Sequence, residues 1–261
     1  VSFDPHPRSV VHEEDVPLLT TVPERAQVLD ALGLDRLVVV PFSEEFAQLS
    51  PREYVHDVLV ERIGLQEVTV GYDHRFGKDR AGDVALLREL GTEYGFSVDV
   101  IPPQEVDHDV VSSSSIRALL QDEGAVQQAN VRLGRPYQLQ GTVARGEGRG
   151  RQIGFPTANL ALDDARKLVP KRGVYATRVQ LPGGRYCGGM MNIGRRPTFD
   201  GMDVTAEVHL LNFEGDLYGE HLSVQFLQRL RDEQRFESAE ALAAQLSKDE
   251  QRCTAVVEAA T

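Results

Sequence analysis

The chain has 261 residues, 40 acidic and 28 basic, and a formal charge of −12. That balance argues against a nonspecific grip on nucleic-acid backbone or an anionic membrane and leaves small ligands open. Its two cysteines, Cys187 and Cys253, are too far apart for a Cys-x-x-Cys pair and cannot form a cysteine zinc cage, so a reducing, cytoplasmic setting is expected. No apolar run approaches the roughly 18 to 20 residues of a membrane span and no basic-then-apolar leader opens the chain, so neither membrane insertion nor export is expected.

The opening VSFDPHP has no Met and reads as the end of a strand entering a loop, as if a piece preceded it. From Val1 to about Pro136, short β-branched runs alternate with helix signals. RLVVVPF (36–42), EVTVGY (67–72) and FSVDVI (96–101) have buried-strand length. One helix starts at Ser50-Pro51, with Glu53 completing a capping box. Another follows Gly82-Asp83, carries Leu86, Leu87 and Leu90, and stops at Gly95. Strands alternating with helices predict a mostly parallel sheet covered by helices, an α/β domain over residues 1–136.

After Tyr137 the rhythm changes. YQLQGTVAR, GVYATRVQL, YCGGMMNIG, DVTAEVHLLNF and HLSVQFLQRL are successive strand-like runs, Pro182-Gly183-Gly184 marks a turn, and no helix signal recurs before Ser238. The reading is an antiparallel sandwich or small closed barrel over 137–261, ending in an amphipathic helix with Leu242, Leu246 and Val256 turned inward.

GRQIGFPTANL (150–160) carries the first chemical signal. It is glycine-rich, as phosphate sites are, yet its proline forbids the helix that a Walker loop opens. In an extended chain Thr157 and Asn159 share a face about 7 Å apart at Cα. A hydroxyl and a carboxamide oxygen at that spacing suit a hard cation, Mg²⁺ or equally Mn²⁺, with nucleotide phosphates completing the shell. Gly141, Gly146, Gly148, Gly150 and Gly154 would let backbone N–H groups close around those phosphates. The same tetrapeptide is also an ordinary proline-initiated strand beside a hairpin. Glu207, in TAEVHLL, is set off from the apolar face formed by Ala206, Val208 and Leu210, and suits a general base in phosphoryl transfer or a solvated strand position. His209 shares its face and reads as structural. NIGRRPTF (192–199) and LRDEQRF (230–236) supply arginines and aromatics able to enclose a planar ligand. Ser112, Ser113 and Ser114 at a helix start, with Arg117, offer hydroxyls, N–H groups and charge to a phosphate, or form a flexible cap.

Taken in order, Gly141-Thr142-Val143, the glycine/arginine loop with Arg151, GFPTANL, GVYA (173–176), NIGRRPTF, EVHLL (207–211), DLYG (216–219) and Leu230, Arg231, Glu233 and Phe236 resemble the riboflavin kinase family. The resemblance implies a six-stranded Greek-key barrel with a C-terminal helix. It implies ATP and phosphate contacts at Gly141, Gly148, Gly150, Arg151, Gly154, Thr157 and Asn159, with Thr157 and Asn159 also holding Mg²⁺. Glu207 would activate the ribityl 5′-hydroxyl, and flavin contacts would come from Asn192, Thr198, Arg231 and Phe236. SFDPHP (2–7), GYDHRFGKDRAGD (71–83) and SSSSIRALL (112–120) are similar to the FMN adenylyltransferase half of bacterial bifunctional riboflavin kinase/FAD synthetases. That half is Rossmann-like, and the resemblance gives nucleotide or flavin contacts to Asp73, Phe76, Gly77, Ser112, Ser113, Ser114 and Arg117. The family's F-D-G-x-H-x-G-H does not occur in this sequence, and His6 belongs to a later motif. FMN formation from riboflavin and ATP is therefore expected of the chain as written, and FAD formation of a longer protein. The competing reading is a noncatalytic flavin- or nucleotide-binding module indifferent to Glu207→Gln.

Overall fold

The computed structural model describes residues 1–146, 149–198 and 201–260, and the side chains of 149, 152, 196–198 and 201–203 are outside that description. The chain divides into two compact units, Val1–Val16 with Arg25–Val111, and Pro17–Glu24 with Ser112–Thr261.

In the first unit β1 (Ser2–Asp4) pairs in parallel with β2 (Val39–Pro41), and β3 (Glu67–Gly71) in parallel with β4 (Ser97–Ile101). The expected parallel pairing is present, but as two separate two-stranded ribbons rather than one sheet. The 36–42 run is strand only at Val39–Pro41, and Val39 is exposed rather than buried. The capping box closes as the sequence demands. Ser50 N–H donates to Glu53 Oε2 at 2.8 Å and Glu53 N–H to Ser50 Oγ at 3.3 Å, and the turn Pro51–Glu53 continues as a π-wound segment, Tyr54–Ile63. Asp83 caps Val84–Tyr94 by accepting from Leu86 N–H at 2.9 Å, and Gly95 ends it in the left-handed region. Gly91 on that helix faces the Phe96 carbonyl, where a Cβ would stand 2.6 Å away, so the helix and β4 meet at a position closed to larger residues. Val55, Leu59, Val70, Phe76, Leu87, Leu90 and Phe96 form the core between them. A small antiparallel ribbon, β5 (Glu105–Val106) with β6 (Asp109–Val110), completes this unit.

The second unit is a closed six-stranded barrel in the order β10-β11-β8-β7-β12-β9, every pair antiparallel. Its strands are β7 (Tyr137–Ala144), β8 (Ala158–Leu162), β9 (Gly173–Gln180), β10 (Tyr186–Thr198), β11 (Gly201–Leu210) and β12 (His221–Arg231). Alternation along β12 sends Leu222, Val224 and Phe226 to the interior, where Phe226 meets the rings of Tyr137 and Tyr175 at 6.3 and 5.2 Å. The turn Pro182–Gly184 joins β9 to β10. Within the barrel half, the described residues include a short helix that the sequence did not signal, Arg149–Gln152, in the loop before Pro156; its four residues are too few to leave a periodic signal. Ser238 caps the C-terminal helix, Ala239–Ala259, which covers one outer face of the barrel. Leu246, Val256, Val257 and Cys253 pack there against Val174, Ala176, Met190, Leu211 and Leu230, while Leu242 lies outside that cluster.

Candidate active site

Four of the residues singled out in the sequence fall on one row around the barrel wall. Register carries it from Arg231 to Val174, from Val174 to Asn192, from Asn192 to Glu207 and from Glu207 to Asn159. Directly opposed residues project to the same side of a sheet. That side is the outer one, because Val174 packs in the cluster under the C-terminal helix while Val208, on the alternate set, meets Val179 and Thr177 at Gly189 inside the barrel.

Thr157 lies one residue ahead of β8, and its hydroxyl donates to Glu207 Oε2 at 3.3 Å. Glu207 therefore has a hydroxyl in contact and a carboxamide directly opposite on each neighbouring strand, Asn159 and Asn192, all half-buried. The loop between β7 and β8 folds back over this row. A Cβ at Gly146 would strike the Asn159 carboxamide, and one at Gly150 would strike the Phe155 carbonyl and stand 3.6 Å from Thr157 Oγ1. Only glycine lets the backbone come that close.

On the other side of Asn192, Arg231 Nε donates to Asp249 Oδ2 at 2.7 Å, and Arg231 lies over the Phe236 ring at 5.8 Å. Asp249 is fully buried and also accepts from Gln245 Nε2 at 2.9 Å. A Cβ at Gly194 would stand 2.7 Å from Glu233 Oε1, 3.1 Å from Thr205 Oγ1 and 3.4 Å from Asn192 Nδ2, which places Glu233 and Thr205 beside the row. Sequence reasoning assigned no site role to Thr205, Glu233 or Asp249. Period two from Glu207 points to Thr205, and Asp249 interrupts the apolar stripe of Leu246, Cys253 and Val256 on its helix.

The remaining expected residues distribute as follows. Gly141 lies within β7, its backbone against the Ala161 carbonyl, Gly154 is left-handed at φ 86°, and Arg151 is exposed. Gly148 and the Thr198 side chain lie outside the described residues. In the first unit Phe76 is a core residue, with His74 stacked on it at 5.7 Å and 21°. Gly77, at φ 71°, brings its backbone against Pro51, and Asp73 is exposed. Ser112 caps the helix that begins at Ser113, with Ser115 as its capping-box partner. Ser113 and Ser114 are exposed on its first turn, and Arg117 Nε donates to the Pro17 carbonyl at 2.8 Å. All of Ser112 to Arg117 belong to the second unit.

Two family models match the chain, riboflavin kinase over residues 133–257 and FAD synthetase over 1–115. A bifunctional riboflavin kinase/FMN adenylyltransferase of Escherichia coli K12 is 38% identical over 249 residues, 95% of this chain and 79% of the relative. The chain belongs to the bifunctional riboflavin kinase/FMN adenylyltransferase family. The Listeria monocytogenes member is 37% identical over 254 residues, covering 96% of this chain and 79% of its own length. A solved structure described as a macrolide-efflux protein from Streptococcus pneumoniae superposes with a TM-score of 0.85 at 33% identity, over 95% of this chain and 80% of its own. Among the described residues no helix is long and apolar enough to cross a membrane.

Proposed function

We propose that the barrel, residues 137–261, transfers the γ-phosphoryl group of ATP to the ribityl 5′-hydroxyl of riboflavin with Glu207 as general base, and that the α/β half, 1–136, serves adenylylation of FMN to FAD. In the kinase step the ribityl oxygen bonds to the γ-phosphorus, the bond from that phosphorus to the β-bridging oxygen breaks, the hydroxyl proton passes to Glu207, and ADP leaves. In the second reaction an FMN phosphate oxygen bonds to the α-phosphorus of ATP and pyrophosphate departs.

The observation that carries the kinase reading is Glu207, with the Thr157 hydroxyl 3.3 Å away and Asn159 and Asn192 opposite it in the two adjacent ladders. A carboxylate so flanked by neutral donors can accept a proton from a hydroxyl brought to the row. The donor set is all oxygen, and among the described residues no group of three His, Cys, Asp or Glu offers a protein-only metal cage. A divalent ion would therefore be shared with the nucleotide. Thr157 and Asn159 would hold it, Mg²⁺ or Mn²⁺, and it would neutralise charge on the transferring phosphate. Backbone at Gly146 and Gly150 closes over the same corner, while Asn192, Arg231 and Phe236 line the flavin side. For adenylyl transfer the candidates are taken unit by unit: Asp73, Phe76 and Gly77 in the first, and in the second the helix start Ser112 to Ser114 with Arg117, each proposed as a nucleotide or flavin contact on its own unit. Both cysteines are free, in keeping with a cytoplasmic enzyme.

Incubation of the chain with ATP, Mg²⁺ and riboflavin is expected to give FMN and ADP, and removal of the divalent ion to stop it. Riboflavin binding with no FMN formed would defeat the reading. Supplying FMN and ATP and following FAD and pyrophosphate tests the second activity.

A further inference from the structure

β8 and β11 are joined by only two register pairs, Ala158 with Val208 and Asn159 with Glu207. One step further along, Thr157 would face His209, and the backbone ladder has already ended. The His209 side chain continues the junction instead. Its Nδ1 lies 2.8 Å from the carbonyl oxygen of Pro156, so Nδ1 carries a proton and donates it. The side chain is 11% exposed, meets the Phe155 ring at 5.3 Å and 64°, and has Nε2 3.7 Å from Glu250 Oε1 on the C-terminal helix. Three groups thus fix one imidazole from three directions.

The carbonyl it grips belongs to the peptide plane that leads into Thr157. Holding that plane orients the Thr157 Cα and, with it, the hydroxyl that reaches Glu207 at 3.3 Å. Proline at 156 supplies no N–H to a ladder, so it can be tied down only through its carbonyl, and His209 takes that carbonyl. We propose that His209 is a positioning residue for phosphoryl transfer, a side-chain clasp that closes the open end of the β8–β11 ladder and sets the Thr157 hydroxyl against Glu207. This rests on reading the barrel as the riboflavin kinase. His209 touches no reacting atom and acts through Thr157, so its loss should fall on turnover and on the metal–nucleotide side of the site. The flavin side, around Asn192 and Arg231, should be spared.

The test compares the full chain with His209→Leu, which keeps apolar bulk without a donor, and His209→Asn, whose amide N–H falls near the position of Nδ1. FMN formation is followed against Mg²⁺ and ATP, Mg·ADP affinity by calorimetry, and riboflavin Kd by fluorescence quenching. For His209→Leu the expectation is kcat down by about tenfold or more, since sub-ångström misplacement at a reacting centre has effects of that order. Mg·ADP binding weakens and riboflavin Kd is unchanged. His209→Asn recovers most of both. Wild-type kcat and Mg·ADP affinity in His209→Leu would overturn the proposal, as would equal impairment in His209→Asn. Should His209→Leu fail to fold, His209→Gln, which extends its amide toward the Nε2 position, must stay impaired where Asn is active; equal behaviour of the two overturns it. A wild-type chain that forms no FMN sinks the kinase reading itself, whereas an active wild type with an indifferent His209→Leu sinks only the clasp.

Discussion

The role proposed for Glu207 rests on what stands beside the carboxylate: a threonine hydroxyl at 3.3 Å and carboxamides opposite it on two strands. None of these neighbours carries a formal charge, and the one that bonds the carboxylate, Thr157, leaves its other oxygen open for the proton-acceptor role proposed above. The glycines act by the side chains they lack. At Gly146 a Cβ would displace the Asn159 carboxamide, so Gly146→Ala should raise the KM for ATP by about tenfold, the order expected from misplacing one ligand. Riboflavin Kd, measured by fluorescence quenching, should not move. An unchanged ATP KM would remove Asn159 from the nucleotide side.

Among elements, the C-terminal helix shapes the site without supplying a reacting group. Its buried Asp249 holds Arg231, and the segment after Arg231 brings Glu233 beside Gly194 and Phe236 under the guanidinium. Asp249→Ala would leave a guanidinium that is 11% exposed without its carboxylate. Breaking such a buried pair costs about 3–5 kcal/mol, so urea unfolding of the barrel should show a lower midpoint, with Asp249→Asn losing less. The barrel strands were legible from the sequence because turn residues separate runs of alternating character, and the shared face of Thr157 and Asn159 because period two survives folding; Glu207 joined them only through the family resemblance. Four things were not legible. The helix Arg149–Gln152 is too short for periodicity, the exposed Val39 contradicts a hydrophobic run that looks buried, and Asp249 reads as one more surface acid until its helix face is known. Pairing across strands, which puts Arg231, Asn192, Glu207 and Asn159 on one row, depends on registers between runs far apart in sequence, and no local pattern encodes them.

For the molecule as a whole, the chain contributes to the barrel unit twice, since Pro17–Glu24 belongs to it along with Ser112–Thr261. The early segment is tied in by Leu18, whose N–H donates to the Arg166 carbonyl at 2.7 Å, and by a buried ion pair, Lys167 Nζ to Glu24 Oε2 at 2.6 Å, with the ammonium 4.4 Å from the centre of the Tyr137 ring. Glu24→Ala would strand that ammonium and should cost about 3–5 kcal/mol of barrel stability, read from the urea midpoint. Burial pulls the Lys167 pKa from 10.5 down to about 8. Between those values the unfolded chain binds the proton and the folded one does not, so this residue's effect on stability becomes more favourable as pH rises. Burial raises the Cys187, Cys253 and Tyr137 pKa values, which works the opposite way above about pH 9. The informative comparison is therefore pH 7.5 against 9. Wild type minus Lys167→Met should show a difference in stability that shifts in favour of wild type on going to pH 9, and a pH-independent difference would contradict the assignment.

The central claim is that Glu207 takes the proton from the hydroxyl being phosphorylated, and the most direct measurement is single-turnover FMN formation by Glu207→Gln, with riboflavin and Mg·ADP affinities measured on the same preparation. The prediction is both ligands bound with near wild-type affinity and a rate lower by about 10²–10⁴. A rate within a few-fold of wild type at full occupancy would contradict it.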